Sequence, residues 1–81
     1  MAQVIWTEPA LSDLNAIAEY IAIDKLSAAI NLVQKVFSST DQLEQFPELG
    51  RKPLEFKKSR YLEITVNPCR IFYRIEPRKI S

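Results

Sequence analysis

Apolar residues follow two different periods along this 81-residue chain, and the change of period marks off its elements. Leu11, Leu14, Ala18 and Ile21, with Ile17 alongside, recur at steps of three and four, while Asp13, Asn15 and Glu19 lie off the stripe. That spacing predicts an amphipathic helix. Gln3 to Trp6 before it is short, apolar and β-prone, and Thr7-Glu8-Pro9 is a helix-start signal with proline in the first turn. Asp24-Lys25-Leu26-Ser27 interrupts the stripe, with Ser27 or Asp24 able to cap a second helix. Helical spacing then resumes through Ala29, Ile30, Val33, Val36, Phe37, Thr40 and Leu43 up to Phe46-Pro47. Proline ends it there, because it cannot donate a backbone hydrogen bond and disfavours helical geometry in the residue before it. Two helices joined by a short turn make an αα-hairpin.

In the last third the period drops to two. Arg60 to Val66 and Cys69 to Ile75 alternate around Asn67-Pro68 and predict a β-hairpin. Proline cannot take the positive φ that a two-residue type I′ loop needs, so a wider turn spanning Val66 to Cys69 is expected. In that register Thr65 faces Arg70, Glu63 faces Phe72 and Tyr61 faces Arg74. These six make an outward face, and Leu62, Ile64, Val66, Ile71, Tyr73 and Ile75 make the face turned to the core. The expected fold is α+β in the order β-α-α-β-β, a helical hairpin packed on a small antiparallel sheet. Pro47-Glu48-Leu49-Gly50-Arg51-Lys52-Pro53 holds the chain's only glycine and reads as a loop rather than a linker, since too little sequence comes after it for a second core. Residues 1–81 are therefore one small domain, with a few kcal/mol of stability and most of its surface exposed.

A formal net charge of +1 conceals two unlike halves. Residues 1–50 hold seven acidic and two basic side chains, net −5, and residues 51–81 hold nine basic and three acidic, net +6. The basic half suits phosphates or an acidic partner. The single cysteine, Cys69, cannot form an internal disulfide or a zinc site alone, and is expected as a small core residue at a strand start. No run reaches the roughly 20 apolar residues that span a bilayer, and no signal-peptide pattern opens the chain, which points to the cytoplasm and away from a membrane. Histidine is absent, so Ser-His-Asp and Cys-His catalysis, histidine metal sites and two-histidine ribonuclease chemistry are all excluded. No Gly-rich phosphate loop is present either, and no cofactor or metal is expected.

The outward face of arginines and aromatic rings suits base stacking, bidentate grip on phosphate, or docking of a protein hot spot. The order of elements resembles the RelE/ParE superfamily of bacterial toxins, and within it the ParE branch. The matching pieces are Trp6-Thr7 with Ala10 and Asp13-Leu14, Ile17 with Tyr20-Ile21, Ala28-Ala29, Leu43 with Phe46-Pro47, Gly50-Arg51, Arg60-Tyr61-Leu62, and Arg70-Ile71-Phe72-Tyr73-Arg74. Their order and spacing over residues 4–76 carry the resemblance, which no single piece does alone.

The resemblance implies the toxin of a type II toxin–antitoxin module, held inactive by a ParD-like or similar antitoxin that wraps the helical hairpin and sheet. Leu11, Tyr20, Val33 and Phe37 are the candidate antitoxin contacts. ParE-like members poison DNA gyrase by binding, and RelE-like members cut mRNA on the ribosome. The spacing Pro47-Glu48-Leu49-Gly50-Arg51 resembles ParE and favours gyrase, with Arg51, Arg60, Tyr61, Arg70, Phe72 and Arg74 as candidate target contacts and no catalytic residue. A histidine-free ribonuclease would instead use Arg70 with neighbouring lysines. A non-toxic, truncated antitoxin-binding module is the third possibility. Family members continue after the hairpin with a further apolar strand beside the first one, and here that final strand is expected to be missing. An open sheet edge of this kind favours a homo-oligomer or strand complementation by another chain.

Overall fold

The computed structural model describes residues 3–56, 60–76 and 79–80. Strand β1 (Gln3–Val4) leads into helix α1 (Glu8–Asp24), then α2 (Leu26–Asp41), three single 3₁₀ turns (Gln42–Glu44, Pro47–Leu49 and Leu54–Phe56), and strands β2 (Tyr61–Val66), β3 (Cys69–Glu76) and β4 (Lys79–Ile80). The α+β architecture expected from the sequence is the one found.

Each helix end has a local cause. Thr7 is the N-cap of α1, its Oγ1 accepting from the Ala10 N–H at 3.2 Å, and Pro9 sits in the first turn where no intrahelical donor is needed. Between the helices the break is one residue. Lys25 is extended (φ −151°, ψ 105°), its N–H donates to the Ile21 carbonyl, and its own carbonyl accepts from Ala28 and Ala29. This corrects the expectation of a cap at Asp24 or Ser27, because no side chain caps α2. The second helix also stops earlier than expected, at Asp41. The chain tightens there into the 3₁₀ turn of Gln42–Glu44, which still buries Leu43.

The helices enclose two adjoining cores. Leu14, Leu32, Val36 and Cys69 form one, flanked by Trp6, Ile21, Val66 and Ile71. Leu43 and Tyr73 form the other, flanked by Val4, Leu62 and Ile64. Cys69 starts β3 and is buried, as expected. Leu32 is buried although it lies off the expected helical stripe, while Ile30 and Phe37, which lie on that stripe, are exposed. The stripe on α2 is thus rotated toward Leu32. Trp6 meets Phe37 at a ring separation of 5.1 Å, joining the start of α1 to the second half of α2.

Strands β2 and β3 pair in the expected register: Tyr61 with Arg74, Glu63 with Phe72, Thr65 with Arg70. Val66 already pairs with Cys69, so the loop is only Asn67-Pro68, narrower than expected. The Asn67–Pro68 peptide is cis, a turn class that places proline third and needs no positive φ. The final strand expected to be missing is present as a two-residue strand: Lys79–Ile80 lies between β1 and β3, parallel to the first and antiparallel to the second, giving a sheet ordered β1-β4-β3-β2. Two assignments of faces need correcting. Ile75 is exposed beside Phe46 and Leu49 rather than under the helices. Glu63, on the outward face, is buried.

Candidate functional site: the outward face of the hairpin

Glu63 is buried because the chain before β2 folds back along it. Arg51 forms an isolated antiparallel bridge to Glu63, its N–H donating to the Glu63 carbonyl at 2.9 Å and its carbonyl accepting from Glu63 at 2.8 Å. The loop reaches this position through a second anchor. The buried Tyr73 hydroxyl accepts from the Gly50 N–H at 2.8 Å and donates to the Pro47 carbonyl at 2.7 Å. A Cβ at Gly50 would lie 2.6 Å from that hydroxyl oxygen and 2.7 Å from the Glu63 carbonyl oxygen, so only glycine lets the loop approach so closely. Burial raises the Tyr73 pKa above its usual value and keeps the phenol a donor.

Across the outward face these contacts assemble a charge cluster. The Arg70 guanidinium grips the Glu55 carboxylate bidentately, Nη1 at 2.7 Å and Nη2 at 3.0 Å, and its Nε donates to Glu63 at 2.8 Å. Arg51 Nε lies 3.4 Å from the other Glu63 oxygen, whose side chain is only 2% exposed. The Arg70 guanidinium also sits 5.1 Å over the Phe72 ring. The hydrogen bonds from Arg70 hold the Glu55 carboxyl down at about 2, and the same bonds to Glu55 and Glu63 raise the Arg70 pKa further. The predicted site residues therefore separate into two roles. Arg70 is committed to two carboxylates and ties the Leu54–Phe56 turn to the sheet. Arg51, Arg60, Tyr61, Phe72 and Arg74 have exposed or half-exposed side chains, and Arg74 is bound through Nε to Glu76 at 2.7 Å. The neighbouring lysines, Lys57 and Lys58, lie outside the described residues.

Sequence reasoning missed Glu55 and the Tyr73 anchor. Glu55 sits in a charged run that looks merely solvated, and its partner is 15 residues away. Tyr73 lies in the core as expected, but its hydroxyl partners become visible only once the loop is placed.

A second surface lies on the helices. Leu26, Ile30, Val33 and Phe37 repeat at steps of four, three and four and so share one side of α2. Across a shallow groove from them lie Ala18 and Ala22 of α1. Of the predicted antitoxin contacts, Leu11, Val33 and Phe37 fall on this side of the hairpin by helical spacing. Tyr20, 77% exposed, sits apart on α1. Ile23 and Leu26, 85% and 63% exposed at the hairpin tip, were not predicted.

A family model for the ParE toxin of type II toxin–antitoxin systems, parDE, matches residues 4–80. The chain belongs to this family. Among curated relatives, it is similar to "Toxin RelE2" of Caulobacter vibrioides, 43% identical over 51 residues that cover 63% of this chain. It is also similar to "Putative toxin Y4kP" of Sinorhizobium fredii, 36% identical over 73 residues that cover 90% of it. The matches span 58% of the length of the first relative and 75% of the second. None of the chain's described helices is long and apolar enough to cross a membrane.

Proposed function

We propose that this ParE-family chain inhibits DNA gyrase by binding it through the outward hairpin face, with Arg51, Arg60, Tyr61, Phe72 and Arg74 as the contacts. The observation that carries the reading is the commitment of Arg70 to Glu55 and Glu63. An arginine that stabilises the transition state of phosphate cleavage has to present its donors to the developing charge. Here the donors are already aimed at carboxylates, and the chain has no histidine to move a proton. Binding asks less of the face. Half-exposed rings and guanidinium groups on one face are what hot spots use. A cytoplasmic site of action follows from the choice of target.

The helical groove supports the antitoxin reading. Leu26, Ile30, Val33 and Phe37 form an apolar stripe of the kind that receives an amphipathic helix. The two surfaces lie on different layers, so an antitoxin on the helices can leave the hairpin face uncovered or cover it by extension.

The deciding assay is gyrase supercoiling with purified chain. Inhibition is expected, and Arg74→Ala is expected to weaken it at least tenfold with an unchanged circular dichroism spectrum. Arg70→Ala is a poorer probe, because removing it also strands the buried Glu63 carboxylate. A chain that leaves gyrase untouched yet cuts mRNA in a translation extract would replace this reading with the ribonuclease one, toward which the RelE2 relative's name points.

A further inference from the structure

The Arg70 guanidinium has two edges, and they are held differently. Along one, Nε and Nη2 both reach Glu63 Oε2 at 2.8 Å, and the Glu63 side chain is buried. At its end, Nη1 and Nη2 form a second fork on Glu55, where the two side chains are 43% and 49% exposed. Glu63 fixes the orientation of the group, because a buried carboxylate deprived of its partner would stand uncompensated. The Glu55 end has no such anchor. An exposed ion pair is worth little, since water and salt compete for it and two side chains give up rotamer freedom to form it.

When Glu55 turns to solvent, Arg70 keeps its place between Glu63 and the Phe72 ring and offers two parallel N–H donors outward. That is the fork a carboxylate takes bidentately. Arg51 bears on the same spot, its charge acting on the Glu55 carboxyl while its Nε lies 3.4 Å from Glu63 Oε1. Two guanidinium groups and two carboxylates leave the resting cluster neutral. One incoming carboxylate in place of Glu55 keeps it neutral and matches the plane of the fork, whereas a doubly charged phosphate monoester would not keep the balance.

We propose that Glu55 is an internal stand-in for a carboxylate of the protein partner, and that a partner Asp or Glu replaces it on the outer fork of Arg70 when the hairpin face docks. The proposal rests on the gyrase-binding reading and adds to it the chemistry of one contact, an acidic side chain beside an apolar one that covers Phe72. Glu63 keeps its edge throughout. Arg70 thus joins the target contacts only after the exchange, and its commitment to two carboxylates describes the resting state.

The test titrates the isotope-labelled full chain at neutral pH with a capped, unlabelled oligoglutamate peptide and follows the Glu55 side-chain carboxyl carbon. A saturable shift of that carbon is expected. Glu55→Gln should bind the peptide at least threefold tighter, because the internal competitor is gone, and should inhibit gyrase at a correspondingly lower concentration. Glu48→Gln removes the same charge from the exposed loop before Gly50 and should change affinity less than twofold. An equal gain there would make the effect one of bulk charge and overturn the exchange. So would a Glu55 carbon that stays still in the bound chain, or a Glu55→Gln affinity no tighter than the parent's, which is what loss of a purely structural clamp gives. Tighter binding of a single-stranded oligonucleotide of equal charge overturns the carboxylate assignment in favour of phosphate. If Glu55→Gln fails to fold, the carbon shift in the parent chain decides alone. Gyrase inhibition that Glu55→Gln leaves unchanged overturns the exchange and spares the gyrase reading. Peptide exchange in a chain that does not inhibit gyrase overturns that reading instead.

Discussion

Gly50 and Tyr73 carry more of this structure than their side chains suggest. Gly50 has an ordinary extended backbone (φ −71°, ψ 170°), so what excludes a larger residue is proximity and not conformation. Gly50→Ala is expected to cost about 1–3 kcal/mol through overpacking, read as a lower denaturation midpoint. Tyr73→Phe leaves the Gly50 N–H and the Pro47 carbonyl without their partner and should cost about 1–3 kcal/mol. Because the two changes act on one contact, the double variant should be less destabilised than the sum of the singles. A third expectation concerns Glu55. Its carboxyl is lowered from 4.5 to about 2 in the folded protein by Arg70, so its contribution is complete above pH 4.5 and lost as pH falls toward 2. Both partners are about half exposed, so salt should weaken the contact as well. The Glu55 side-chain carboxyl carbon resonance, tracked from pH 6 to pH 2 at low and high ionic strength, reports it directly.

At the scale of elements, Thr7→Ala should remove the N-cap bond of α1 and cost about 1 kcal/mol. The same helix shows what could be read in advance and what could not. The start at Thr7-Glu8-Pro9, the alternation of β2 and β3 and their pairing were legible because each is a local pattern with one physical solution. The single-residue break at Lys25 was not, since an extended lysine carries no capping signature. Burial of Glu63 was illegible for a different reason: it depends on a loop that returns from a distance, and alternation alone assigns a strand carboxylate to solvent. Arg70 stands out in the sequence as an important residue. Its role as a clamp between sheet and turn emerges only from Glu55 and Glu63 together.

For the whole molecule, the two faces should be separable by mutation. Val33→Glu, in the helical groove, is expected to weaken antitoxin binding at least tenfold while gyrase inhibition persists; loss of both would show that the surfaces are not independent. Arg74→Ala should do the reverse. The Arg51 bridge has one more effect. Strand β2 is the outer margin of the sheet, and a bare margin of alternating apolar residues is a template on which further molecules can stack edge to edge. Glu63, at the middle of that margin, has both its backbone groups capped by the chain's own loop. Any change that loosens the loop thus reveals an adhesive strip, and fibrillar aggregates nucleated by Tyr61–Val66 are the form that misassembly of this protein should take.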